Sequence, residues 1–168
     1  MRLGVMPLMK RLVLAAGVWA FAPGFADATT VTSTMAVSLT IAAACTVTGG
    51  TIAFGSAGLL TTPIPTTGTL AVTCTNTTPY TIGLNAGANG GSVTTRQMKS
   101  PTTTALVNYS LTQDVGHATN WGNTAGSWVS GTGAGSAQTI TVYAVVPVQT
   151  TPAPAADYAD TVVITVTY

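Results

Sequence analysis

Apolar residues recur at every second position along most of this chain, in short runs divided by clusters of Gly, Pro, Asn and Ser. That is the pattern of half-buried β-strands, and no stretch holds a helical period. Val31–Ile41 alternates, with Met35, Val37, Leu39 and Ile41 on one face. CTV and TIAF follow, then the turn-rich GSAGLLTTPIPTTG, then TLAVTCT, YTIGLNAG, the loop ANGGSVTT, RQMK and LVNYSLTQD. The polar stretch GHATNWGNTAGSWVSGTGAGSA reads as loop with room for one short strand, before QTITVYAVVP and DTVVITVTY. Six or seven short strands so spaced predict an all-β sandwich of immunoglobulin-like topology. In the final run Val162, Ile164, Val166 and Tyr168 share a face, opposite Thr161, Val163, Thr165 and Thr167. An apolar strand with an uncovered edge pairs readily with other chains. The expectation is that another copy, or a relative, supplies its partner.

The first residues change the picture. Arg2, Lys10 and Arg11 precede the apolar LVLAAGVWAFA and the small-residue stretch PGFADA. This is the layout of a secretory signal peptide over residues 1–28, cut after Ala26 or Ala28. The apolar run falls short of the roughly 20 residues a membrane span needs. The body expected to fold is then a single domain over residues 43–168, preceded by a free segment, 29–42. Beyond Ala28 the only charges are Arg96, Lys99, Asp114, Asp157 and Asp160. A nucleic-acid partner is thereby excluded, since phosphate binding needs clustered Lys and Arg. So few charges also fit a surface largely buried against neighbours. Cys45 and Cys74 form the only cysteine pair, and in an exported chain they are expected to be bridged. A metal site lacks ligands: there is no CxxC, and His117 is the sole histidine.

Other chemistry is thin, and neither catalytic residues nor a cofactor are expected. His117 lies near Asp114, but in a loop and without a GxSxG elbow. GTGAGS, Gly131–Ser136, neither opens a helical pattern nor carries the lysine of a phosphate loop. Asp157 and Asp160 lack the oxygen-rich spacing of a calcium loop and read as turn residues. Asn76–Thr78 and Asn108–Ser110 match a glycosylation pattern that arises readily by chance in a Thr-rich chain. Trp121 and Trp128 are the candidates for surface binding, because rings on a polar loop can stack on sugars. The competing reading packs them on the sandwich.

CTVTGGTIAFG, TLAVTCTNTTPYTIGLNAG, RQM, LVNYSL, TNWGNT, QTITVYAVVP and DYADTVVITVTY stand in the order and spacing of one family. By these motifs the chain resembles, from about residue 31 to 168, the spore coat protein U domain family. That family contains the pilins of the archaic chaperone–usher pathway, Csu-type fimbrial subunits among them. The resemblance implies an incomplete immunoglobulin-like sandwich lacking its last strand and completed by a donor strand. A periplasmic chaperone would lend that strand first. At an outer-membrane usher the N-terminal segment of a neighbouring subunit would then replace it, building a cell-surface fibre or coat that supports adhesion and biofilm formation. Carried onto this sequence, the donor side chains are Met35, Val37, Leu39 and Ile41, and the acceptor groove is bordered by Val162, Ile164, Val166 and Tyr168. The alternative is an adhesin using the Trp-bearing loop.

Overall fold

The structure, a computed structural model, describes residues 28–168. The leader, apart from Ala28, falls outside the described residues. The chain divides into two units, Met1–Leu39 and Thr40–Tyr168. Within the first, residues 28–39 are exposed and form no strand. Their alternation suits a strand, yet a strand needs a partner for its N–H and C=O groups, and among the described residues none is paired to them.

The second unit is all-β. Its strands are β1 (Cys45–Gly49), β2 (Ile64–Cys74), β3 (Pro79–Leu84), β4 (Arg96–Lys99), β5 (Leu106–Thr112), β6 (Val129–Thr132), β7 (Gln138–Val146) and β8 (Ile164–Thr167). One sheet has the order β1-β2-β7-β5-β4 and the other β6-β3-β8. Every pairing between them is antiparallel. The period-two pattern turns alternate residues inward: Leu70 and Val72 from β2, Ile82 and Leu84 from β3, Tyr109 and Leu111 from β5, and Val142 and Ala144 from β7. Cys45 and Cys74 are directly opposed on β1 and β2 and form the expected disulfide. Closing a loop of that length contributes about 3–4 kcal/mol in the chain-entropy picture.

Two elements differ from the sequence reading. The segment GSAGLLTTPIPTTG is not all turn, because β2 begins within it, at Ile64, and runs 11 residues. Pro65 is tolerated there because β1 covers only Leu70–Cys74 of β2, so no β1 backbone acceptor stands opposite Pro65. TIAF is not a ladder strand, although Thr51–Phe54 runs on from β1 along β2. Gly50 N–H donates to Thr69 O at 2.9 Å, and the Thr66 hydroxyl donates to Ala53 O at 3.1 Å.

The registers define two ends of the sandwich. The disulfide end holds the Cys45–Cys74 bridge, the turn at residues 75–78 and Thr167, which pairs with Thr81. The far end holds Ile64 and Val146, paired where β2 meets β7, and the segments that follow or precede them. Chain 45–54 runs from the disulfide end to the far end, while β8 runs back toward the disulfide end. β8 pairs with β3 on one side only, and among the described residues no strand pairs with its other edge.

Candidate functional site

An open apolar groove lies between the two sheets where they fail to close. One wall is residues 50–54, the other residues 158–164 leading into β8, and the floor includes Leu70, Leu84, Leu111 and Val142. The second wall is held from behind. Lys99 and Ala159 exchange backbone hydrogen bonds at 3.0 and 3.2 Å, and Asn85 bonds both N–H and C=O of Val163. A volume of about 470 Å³ opens between the walls. A second, of about 700 Å³, continues it at the far end, bounded by Phe54, Leu60 and Tyr158 and by the PAPAA segment, Pro152–Ala156. Toward the disulfide end the walls approach each other. A Cβ on Gly49 would meet Ile164 Cδ1 at 2.8 Å, so a side chain there would displace the tip of Ile164.

Of the residues expected to border a groove, Val162, Ile164 and Val166 turn toward the core and are partly buried. Tyr168 is not drawn in: it lies beyond β8 and is 58% exposed. Met35, Val37, Leu39 and Ile41 are 78–89% exposed, leaving a row of four apolar side chains uncovered.

Polar chemistry stiffens the second wall. Asp160 accepts from the Tyr109 hydroxyl at 2.7 Å, from Ala88 N–H at 2.8 Å, from Asn89 Nδ2 at 3.1 Å and from its neighbour Thr161 N–H at 2.8 Å. A Cβ on Gly87, which has φ +87°, would fall on that carboxylate, so only glycine allows the loop to close over Asp160. Burial, reinforced by the Asp160 hydrogen bond, pushes the Tyr109 phenol well above its ordinary value and keeps it a donor. Its ring meets Phe54 edge-on across the groove, with centroids 6.1 Å apart.

Behind the wall lies Arg96, fully buried. Its guanidinium donates to four backbone carbonyls: Asn85 at 2.8 Å, Val93 at 2.6 Å, Leu84 at 3.0 Å and Trp121 at 2.7 Å. Burial lowers its pKa from the usual arginine value, and nearby Tyr109 and Asp160 oppose that shift. Arg96 and Tyr109 were not singled out in the sequence, and Asp160 was read only as a turn residue. The available signal was Arg96 itself, one of two cations after the leader and set in a short strand.

The two tryptophans part company. Trp121 is fully buried, with its indole N–H donated to Ile82 O at 2.9 Å, so it belongs to the core and offers no surface. Its flat ring fills space under the polar loop that period-two reasoning cannot assign. Trp128, just before β6, remains 38% exposed. Asp114 does not orient His117. Its carboxylate accepts the backbone N–H of Ala118 and Thr119 at 3.1 and 2.7 Å, which holds its pKa below the usual carboxylate range. The His117 ring instead meets the Thr112 hydroxyl at 3.0 Å. Asp157 is likewise held below its usual value, by the Ser100 and Thr102 hydroxyls. The Asp114 carboxylate is thus occupied by protein donors, whereas Asp157 takes its hydrogen bonds from Thr102 on Oδ2 and leaves Oδ1 without a partner among the described residues.

The fold and its groove define a two-sheet, immunoglobulin-like β-protein with one strand position vacant beside β8. The Spore Coat Protein U domain model matches residues 31–165, and the chain belongs to that family. Curated protein sequences offer no match. Among solved structures, the chain is similar to one in the CsuC–CsuE chaperone–tip adhesion subunit pre-assembly complex, from the archaic chaperone–usher Csu pili of Acinetobacter baumannii. The TM-score is 0.53 at 20% identity, over 77% of this chain but only 41% of that one. The likeness is one of fold.

Proposed function

We propose that this protein is a structural subunit of a cell-surface fibre, exported through the chaperone–usher pathway and polymerised by donor-strand exchange. The observation that carries the reading is the combination of a vacant strand position with an exposed, alternating segment of the same chain. Family membership and the Csu-pilus neighbour support it. The segment around Met35, Val37, Leu39 and Ile41 enters the groove of a neighbouring copy or relative. Its backbone completes the edge of β8, and its alternate side chains enter the apolar space between the walls. Each of the four contributes about 1.5–3 kcal/mol when buried. Before assembly a periplasmic chaperone holds the groove, and an outer-membrane usher exchanges the chaperone's strand for the subunit's.

Topology gives the insertion a polarity. The segment joins its own body at Cys45, at the disulfide end. Running antiparallel to β8 in a neighbour's groove, it would finish at that neighbour's far end, and disulfide ends would follow far ends along a linear fibre. Running parallel would gather successive disulfide ends at one point, where bodies collide. Antiparallel insertion must also be between copies. Cys45 to Phe54 spans on the order of 30 Å at strand rise, whereas the four peptide steps from Ile41 to Cys45 reach at most ~14 Å.

The test is a non-boiled gel of the subunit coexpressed with its chaperone and usher, with and without residues 29–41. A heat-sensitive ladder lost on deletion is expected. A ladder that survives deletion would overturn the reading. A second reading, an adhesin, draws on the part-exposed Trp128 and predicts ligand binding abolished by Trp128→Ala.

A further inference from the structure

We propose that the far end of the sandwich, around Leu59 and Val148, is a docking seat for the disulfide end of the next copy, and that this contact sets the angle between successive subunits. The inference rests on the strand-exchange reading but concerns a different surface.

Three alanines, Ala42–Ala44, separate the last inserted side chain, Ile41, from the bridged Cys45. With Ile41 seated in the 700 Å³ space at the far end, the next body's bridge lies within ~14 Å of it. Stacked sheets lie about 10 Å apart, so at that distance the two bodies are near enough to make contact. The far end is suited to being covered. Leu59 is 72% exposed and Val148 58%, which puts two uncovered apolar side chains at this end. The segments that carry them are tied together rather than loose: Gln149 N–H donates to Leu60 O at 3.1 Å, and Leu60 N–H donates to the Thr151 hydroxyl at 2.9 Å.

The disulfide end is equally ordered. Thr77 N–H donates to Gly133 O at 2.8 Å, and Gly135 N–H to Cys74 O at 3.0 Å, fixing the turn against the loop before β7. Asn76, Thr77 and Ala134 are its exposed tips, and residues 74–78 and 133–138 carry no charge. A neutral, methyl-rich end can cover an apolar seat without burying an ion. A short tether raises the effective concentration to the millimolar range or above, which is enough to populate a weak contact.

The experiment is photo-crosslinking of fibres assembled by the cognate chaperone and usher from subunits carrying Val148→p-benzoylphenylalanine, with Thr139, exposed on β7, as a control position. Irradiation is expected to join position 148 to residues 74–78 or 133–138 of the next copy, and position 139 to neither. A heat-sensitive ladder with no such crosslink, or with crosslinks elsewhere, overturns the seat and leaves strand exchange standing. Absence of the ladder from wild-type subunits overturns both. As a second measurement, Leu59→Glu/Val148→Glu subunits should still form the ladder but give fibres with at least a twofold shorter persistence length. An unchanged persistence length counts against the seat.

Discussion

Arg96 shows how a residue with no visible motif can organise a site. Its guanidinium gathers carbonyls from the end of β3, from the loop before β4 and from Trp121, three pieces of chain that share no ladder. A methionine there would fill the space and remove the donor from four carbonyls, two of them in fully buried hydrogen bonds. At ~1–3 kcal/mol for each buried group left unsatisfied, partly offset by relaxation, Arg96→Met should cost about 3–5 kcal/mol. Urea unfolding of the subunit completed by a peptide of residues 29–41 measures this, and a loss under 1 kcal/mol would refute the cage. The same assay tests the acids. Asp114 and Asp157 have folded pKa values below the ordinary Asp value, so their contribution is fully present above the unfolded value of about 3.9. It is lost as pH falls through the lower, folded value. Stability should therefore be flat from neutral pH to about 5 and decline below about 4, with a shallower decline in Asp157→Asn. The peptide itself carries no titratable side chain, so the slope belongs to the body. An equal slope in the variant would remove Asp157 from the account.

At the level of elements, the sequence pattern located the strands better than it bounded them. Alternation marked the segments that became β2, β3, β5 and β7, because a buried sheet face imposes period two whatever the partner. It missed the first half of β2, where Pro63 and Pro65 imitate a turn. A proline is compatible with a ladder only where its missing N–H faces no acceptor, and that depends on how far β1 extends. It also placed the whole final run in one strand, whereas only Ile164–Thr167 pairs with β3 and residues 158–163 instead form the groove wall. In the proposed strand exchange, the alternating segment before β1 is what enters beside that wall in a neighbouring copy. Leu39→Asp should abolish the heat-sensitive ladder while leaving the subunit folded in its chaperone complex, because a charge cannot enter apolar space unpaired. Normal fibre yield from that variant would remove Leu39 from the donor strand.

For the molecule as a whole, a chain with few charges, a vacant strand position and an exposed apolar segment makes sense as one repeat of a polymer. Alone, it leaves main-chain groups of β8 without partners and four large side chains in water. In the proposed fibre, a neighbour would meet each deficit. The paired cysteines and the period-two pattern were enough to point to a disulfide-bridged all-β domain, because those properties follow from residue type and spacing alone. Tertiary structure decided the rest. It put Trp121 in the core and left Trp128 partly outside, left Tyr168 exposed beyond β8, and set Arg96, Tyr109 and Asp160 behind and within one wall. Those outcomes depend on which segments lie opposite one another across the two sheets, and no periodicity within a segment records what faces it.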